Sequence, residues 1–187
     1  MADFLKSNML TGILFIVGAL APLIIYIGLG PDGAGLLSAL WTEKLGSWIL
    51  LVIPISLMRV KDSMSDGDGF PLVKIGFLIV VIAYAAGMVA DSMATQPNDA
   101  TFQALDLAVG SIVWPAMFLG FAITGLGYYL QKEFHVAVSG IMILVGVYAF
   151  VVIGILAVDD ESMFILPAWL GFTLVNLLLG IFTIRKS

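Results

Sequence analysis

The amino-acid sequence predicts an all-α integral membrane protein, a bundle of about six transmembrane helices. The chain is 61% hydrophobic and 11% charged, and its mean hydropathy is +1.11, which is far outside the range of a soluble domain. Long apolar runs also follow one another with short connections. Because one crossing takes about 20 apolar residues, the 187 residues have room for roughly six spans. The chain is therefore predicted to be one transmembrane domain.

Six apolar runs define the predicted spans. They cover about 9–29, 36–60, 72–90, 105–130, 136–157 and 164–184. The first run is too long for a signal peptide and lacks a cleavage site, so we expect it to be retained. The second run is the weakest, because its apolar core from Leu45 to Met58 is too short to cross about 30 Å. It either extends upstream through residues 42–44, or Gly33–Trp41 is a separate amphipathic segment on the membrane surface.

The positions of the basic residues predict the orientation. With six crossings, seven of the eight lysines and arginines fall on the side of both termini, and only Lys44 falls on the other side. The seven are Lys6, Arg59, Lys61, Lys74, Lys132, Arg185 and Lys186. By the positive-inside rule, both termini are predicted to be cytoplasmic. The tryptophans are expected near the outer interface as anchors: Trp41, Trp48, Trp114 and Trp169.

Three helix starts have similar sequences, TGILFIVG, IGFLIVVI and SGIMILVG, in that order along the chain. Their glycines Gly12, Gly76 and Gly140 are 64 residues apart each time. This spacing is compatible with three successive helical hairpins related by an internal repeat. The alternative is similarity by composition alone, because membrane helices draw on the same few residue types.

The residues that most cofactors and catalytic sites need are scarce. There is no cysteine, which excludes a thiolate nucleophile or an iron–sulfur cluster within the chain. The single histidine, His135, cannot build a bis-histidine haem site or a multi-histidine zinc site in one subunit. The acidic segment 62–71 lacks most ligands of a calcium loop, and no glycine-rich phosphate loop is present. We therefore expect no cofactor, no metal, no nucleic-acid partner and no enzymatic activity.

Ionisable residues occur near the ends of the predicted spans and are absent from their centres, where such residues usually mark ion or proton pathways. Four of them lie near the predicted outer interface: Glu43, Lys44, Asp91 and Asp106. One hypothesis is an outer vestibule gated by a pair of Glu43 and Lys44. The alternative, which we favour, is that all four lie at ordinary solvated helix ends.

Weakly polar residues are the other candidates within the spans. Tyr84, Thr124, Tyr148 and Asn176 could bond across helix interfaces or line a cavity. We expect Asn176 and Tyr148 to face protein, because their polar atoms would be unpaired among acyl chains.

The third helix pair contains SGIMILVG, an acidic outer turn and a small-residue helix that ends in Arg185 and Lys186. In composition, this quarter of the chain is similar to the small membrane subunit of tripartite tricarboxylate transporters. That family has fewer spans, and its glycine- and phenylalanine-rich turn has no convincing counterpart here. The similarity implies an accessory subunit of a transport complex.

Two functional classes follow from these observations. The first is a non-catalytic membrane subunit that scaffolds or anchors other membrane subunits, or further copies of itself, in the lipid bilayer. Very short connections, uncharged spans and many small packing residues favour this class. The second is a small facilitator or channel for a neutral or weakly polar solute, which needs a continuous path lined by hydroxyl groups.

Overall fold

The computed structural model describes residues 7–31, 33–96, 99–157 and 163–186. In these residues it has six helices and no strand, and every helix is long and apolar enough to cross a membrane. The helices are α1 (Asn8–Leu29), α2 (Ala39–Ser63), α3 (Phe70–Ala94), α4 (Ala100–Gln131), α5 (Val136–Ile155) and α6 (Leu166–Arg185). The prediction of an all-α bundle with six spans is confirmed, and the bounds differ from the predicted ones by only a few residues.

Helix α2 decides between the two interpretations of the second span. It includes residues 42–44 and is interrupted only at Leu51. Pro54 has no N–H to donate to the carbonyl of Leu50, so the regular helical bonding stops at this point. Residues 33–38 are not helical, so the separate amphipathic segment is wrong and the extended helix is confirmed.

The far ends of α1 and α5 widen into π-helical turns, at Ile24–Leu29 and Phe150–Ile155. In α1 the wide turns follow Pro22, which cannot donate to the carbonyl four residues before it. Such turns shift the direction in which later side chains point, and they are frequent at functional sites. In α1 the widened segment carries Tyr26.

Successive helices pack side by side, and the arrangement closes on itself because α6 packs against α1. Neighbouring helices run in opposite directions, so α1, α3 and α5 begin at the end of the bundle where α2, α4 and α6 finish. We name this the basic end, since the described lysines and arginines other than Lys44 lie there. The opposite end is named the acidic end.

Glycines allow some of these helices to approach backbone to backbone. A Cβ atom built on Gly76 of α3 would lie 2.6 Å from the carbonyl oxygen of Gly120 on α4, and one on Gly120 would lie 2.8 Å from that of Gly76. Gly12 of α1 and Gly180 of α6 face each other in the same way, at 2.5 and 2.8 Å. Small residues permit this close packing, which maximises van der Waals contact between membrane helices.

The three glycines of the predicted repeat do not have equivalent surroundings. Gly12 packs against α6, whereas Gly76 packs against α4 of its own hairpin. A Cβ on Gly140 would meet nothing within 4 Å. The helices therefore do follow one another as successive hairpins. The three equally spaced glycines, however, do not make equivalent contacts.

The centre of the bundle contains an aromatic cluster from α4 and α6. Phe118 stacks edge-to-face with Trp169 and Phe172, with ring centres 5.4 and 5.8 Å apart, and Phe121 lies 5.0 Å from Phe172. Trp114 makes a similar contact with Trp169 at 6.1 Å. Two of the four tryptophans expected as interfacial anchors are thus packing partners in the bundle. The other two, Trp41 and Trp48, are about half exposed, as anchors would be.

Candidate functional site

Polar side chains from three helices are joined by hydrogen bonds at the acidic end, and one from a fourth helix lies nearby. They are Tyr26 of α1, Glu43 and Ser47 of α2, Asp91 of α3 and Asp106 of α4. Hydrogen bonds join the first four, and Asp106 lies near enough to repel the carboxylates of Glu43 and Asp91 electrostatically. We name these five residues the acidic cluster.

Tyr26 joins α1 to α2. Its hydroxyl donates a hydrogen bond to Oε2 of Glu43 at 3.0 Å. The ring lies against Gly46, where a Cβ atom would be 2.4 Å from both the ring and the hydroxyl oxygen. Because Gly46 follows Glu43 by three residues, both lie on the same face of the helix. The glycine thus makes room for the tyrosine that the glutamate binds.

Ser47 joins α2 to α3. Its Oγ lies 2.7 Å from Oδ2 of Asp91 and also 2.7 Å from the backbone carbonyl oxygen of Glu43. A hydroxyl has one proton to donate, so at any moment it donates to one of these two acceptors. When the hydroxyl donates to the carbonyl oxygen of Glu43, the serine oxygen can accept a hydrogen bond from Asp91 only if that carboxyl group is protonated. The Ser47 side chain therefore links α2 to α3.

The structure places three of the four candidate residues for an outer vestibule near one another: Glu43, Asp91 and Asp106. The fourth, Lys44, does not pair with Glu43. Its ammonium instead lies 5.4 Å from the ring centre of Trp41. Glu43 instead accepts a hydrogen bond from Tyr26 of a different helix, so the described contacts give the hypothesis of a Glu43 and Lys44 gate no support.

Glu43 and Asp91 also differ from ordinary solvated helix ends, because both are half-buried and hydrogen-bonded to other helices. Within the residues that the structure describes, no three histidine or carboxylate side chains lie close enough together to hold a metal ion. Sequence reasoning missed Tyr26 and Ser47. Ser47 could have been found by its spacing of four residues from Glu43, whereas nothing in the local sequence connects Tyr26 with α2.

Three of the weakly polar candidates are buried in the bundle. Thr124 and Asn176 are fully buried, and each donates to a carbonyl of its own helix at 2.8 Å, Thr124 to Gly120 and Asn176 to Phe172. The Oδ1 atom of Asn176 and the hydroxyl of Tyr84 are buried and have no hydrogen-bond partner among the residues that the structure describes. These side chains lie where helices pack closely.

Tyr148 lies elsewhere. It is 37% exposed, and its hydroxyl donates to the carbonyl oxygen of Phe164 at 2.8 Å, in the connection between α5 and α6. No hydrogen bond joins any two of the four candidates in the described part of the chain.

Two further features of the sequence have structural roles. His135 caps the first turn of α5, where its Nδ1 accepts a hydrogen bond from the N–H of Ala137 at 3.2 Å. The acidic segment before α3 is held by Gln131 of α4. Its Oε1 accepts from the N–H of Gly69 at 3.2 Å, and its Nε2 donates to the carbonyl of Ser65 at 2.8 Å.

Comparisons of this chain with protein-family models, curated proteins and solved structures found no match. Its packing and its polar groups are therefore the basis for a functional proposal.

Proposed function

We propose that this chain is a non-catalytic, multi-pass membrane subunit that scaffolds or anchors partner proteins, or further copies of itself, in a membrane assembly. One observation carries the proposal. The rings of Phe118, Phe121 and Phe172 pack across the centre of the bundle with centres 5.0 to 5.8 Å apart, and the first two are completely buried. A densely packed apolar centre favours a rigid structural element over a passage for solutes.

The outward surface suits such a role. Large apolar side chains are exposed on three different helices, among them Ile82 of α3, Ile112 of α4 and Leu144 of α5, with exposed fractions of 60, 72 and 70%. Lipid or the helices of another subunit can cover these faces. Lipid tails are as apolar as leucine, so hydrophobicity alone does not favour a partner helix over lipid. A partner helix covers such a face when it packs against it more closely than lipid does.

The test is purification of the tagged chain from its native membrane in a mild detergent, followed by identification of all co-purifying proteins. We expect a partner, or further copies of the chain, in stoichiometric amount. An unrelated six-helix membrane protein with the same tag serves as the control. A chain that is monomeric and free of partners after mild extraction and after chemical crosslinking in the membrane would contradict the scaffold.

The alternative is a facilitator for a neutral or weakly polar solute. The acidic cluster at one end, a polar cavity at the other end and the unpartnered Oδ1 of Asn176 between them favour this alternative. It predicts uptake of glycerol or urea by liposomes that contain the purified chain, and a change in that uptake on Asn176→Leu. Ser111→Ala is the control, because that exposed hydroxyl bonds only to its own helix. Uptake that Asn176→Leu alters and Ser111→Ala does not would overturn our preferred proposal.

We also propose that both termini are cytoplasmic, because the basic residues are concentrated at one end of the bundle. Single cysteines at Ser63 and at Ser187 should be shielded from an impermeant thiol reagent in intact cells, and a cysteine at Asn98 should react. Ser187 and Asn98 lie outside the described residues. Labelling of position 187 from outside would reverse the orientation.

A further inference from the structure

One buried hydroxyl group lies unpaired beside the acidic cluster. Tyr84 of α3 is 4% exposed, and its hydroxyl has no hydrogen-bond partner among the described residues. Tyr84 precedes Asp91 by seven residues, so the two lie two turns apart on the same face of α3. The hydroxyl is near enough for the charge of the Asp91 carboxylate to act on it, yet it does not donate to that carboxylate. A buried polar group without a partner is costly, so this hydroxyl indicates a ligand that it shares with Asp91.

The carboxylates of the acidic cluster show which charge that ligand carries. Glu43 and Asp91 are half-buried, and their partners are the neutral hydroxyls of Tyr26 and Ser47. Ser47 Oγ lies 2.7 Å from Oδ2 of Asp91, so Oδ1 can bind a further ligand. A hydroxyl stabilises a carboxylate but does not balance its charge. Because an ionised carboxylate that is partly removed from water is costly without a nearby positive charge, the fitting ligand is a cation.

The basic side chains of the protein do not supply this cation. The connections at the acidic end, residues 30–38, 95–99 and 156–165, contain no lysine, arginine or histidine. Lys44 is the basic residue of this end, and its ammonium lies 5.4 Å from the ring centre of Trp41. A cation that balances Asp91 therefore comes from solution.

The ligand types select the kind of cation. Carboxylate and hydroxyl oxygens suit hard cations. Calcium takes about six to eight oxygen ligands, usually with several carboxylates, and no three carboxylate or histidine side chains lie close enough together in the described residues. A monovalent cation is balanced by one carboxylate and accepts neutral oxygens as its other ligands. The expectation that the chain binds no metal rested on the lack of cysteines, histidine pairs and a calcium loop, and a monovalent cation needs none of these.

We propose that the acidic cluster binds one monovalent metal cation, sodium or potassium, at Asp91. The carboxylate of Asp91 and the hydroxyl oxygen of Tyr84 are its ligands, and Glu43 adds to the negative potential. Hydrogen bonds from Tyr26 and Ser47 position the two carboxylates. Because both carboxylates are only half-buried, the cation enters from the solution at the acidic end. The site does not depend on the scaffold proposal.

The chain offers a matched control for each ligand. Asp91→Asn removes the carboxylate, and Asp99→Asn removes the same charge from a residue at the same end that caps α4. Asparagine caps a helix as well as aspartate does, so this control keeps the bond to the N–H of Thr101. Tyr84→Phe removes the unpaired hydroxyl. Its control is Tyr128→Phe, which removes an equally buried and unpartnered hydroxyl at the basic end.

The purified full chain in a neutral detergent is unfolded by heat in sodium, potassium or choline chloride, at one mildly alkaline pH and equal ionic strength. Tryptophan fluorescence gives the Tm. We expect sodium or potassium to raise the Tm by about 3 °C or more relative to choline. In Asp91→Asn and in Tyr84→Phe the increase should fall below about 1 °C. The variants Asp99→Asn and Tyr128→Phe should keep it.

The two metal salts distinguish the source of the cation, and a response to either one supports the proposal. The same Tm in all three salts would overturn it. An increase that persists in Asp91→Asn would also overturn it, because the effect would then be a general one of salt. So would an increase that Tyr84→Phe leaves unchanged, since the hydroxyl would then not be a ligand. A separate titration with calcium chloride tests the charge of the ion, and stabilisation by calcium but by neither monovalent cation would refute the site.

Circular dichroism and gel filtration check that each variant is folded. If Asp91→Asn does not fold, the comparison of Tyr84→Phe with Tyr128→Phe decides alone, because each of these two variants loses one oxygen atom and keeps its ring. A tyrosine hydroxyl with a purely structural role would change the Tm by the same amount in all three salts.

Discussion

The contact between α3 and α4 and the contacts of α2 with its neighbours hold helices together by opposite means. Along α3 and α4, Gly76 and Gly120 bring the two backbones into direct contact, and the Thr124 hydroxyl at this contact donates to the carbonyl of Gly120 on its own helix. Around α2, the side chains of Tyr26, Glu43 and Asp91 reach across the acidic end and bond to one another or to Ser47. One interface depends on the absence of side chains and the other on specific polar ones.

The difference follows from the composition of the helices. Helix α3 is strongly apolar, whereas α2 is the least apolar of the six helices. A strongly apolar helix gains association energy in lipid mainly from close packing. A helix that carries polar residues must satisfy them within the protein, since lipid cannot. The polar residues that make α2 the least apolar span are therefore the ones that bind it to its neighbours.

The largest effect on stability is expected from adding a side chain at the glycine contact between α3 and α4. Gly76→Ala places a Cβ 2.6 Å from the Gly120 carbonyl and 2.4 Å from Oγ1 of Thr124. The backbones must separate, so we expect a loss of stability of about 1 to 3 kcal/mol or more. Gly140→Ala is the matched control, because nothing lies within 4 Å of its Cβ, and it should be neutral or slightly stabilising.

Unfolding of both variants in mixed micelles with a denaturing detergent, followed by tryptophan fluorescence, measures the difference. Equal stabilities for the alanine variants of Gly76 and Gly140 would contradict the direct backbone contact.

A smaller effect is expected at the acidic end from Gly46→Ala. The new methyl group would overlap the ring of Tyr26, which must move away from Glu43, so the bond between α1 and α2 is lost. We expect a cost of about 1 to 2 kcal/mol, because a side chain can yield where a backbone cannot. Gly28→Ala, with nothing within 4 Å, is the control in the same denaturation assay. An unchanged stability of Gly46→Ala would mean that the bond between Tyr26 and Glu43 contributes little.

The smallest effect is expected from Ser47→Ala, which removes the hydrogen bond to Asp91 but leaves the helices in contact. Polar contacts between membrane helices contribute about 0.6 kcal/mol on average, and we expect a loss of that size. Ser92→Ala, an exposed hydroxyl that bonds only to the Val89 carbonyl, should change nothing. A double-mutant cycle with Asp91→Asn isolates the pair. A coupling energy of zero would show that Ser47 donates only to its own helix.

Much of the fold could be predicted because it follows from local composition. Each span is a run of apolar residues long enough to cross lipid, and that requirement holds for each run without reference to the others. The upstream extension of α2 was also predictable, since its apolar core was too short. Three of the five acidic-cluster residues were candidates for the same reason: Glu43, Asp91 and Asp106 each lie near a span end.

Which residues meet was decided by the tertiary structure. The equal spacing of Gly12, Gly76 and Gly140 could not show that the first two face other backbones and the third faces none, because the rotation of each helix depends on its neighbours. In the same way, Glu43 binds Tyr26 of α1 and not the adjacent Lys44. Adjacent residues on a helix point about 100° apart, so their sequence proximity does not bring their charged groups together. The sequence by itself determined the six spans and which end carries the basic residues. Only packing, which brings residues distant in the chain within hydrogen-bonding distance, could assemble the acidic cluster and the cavity at the basic end.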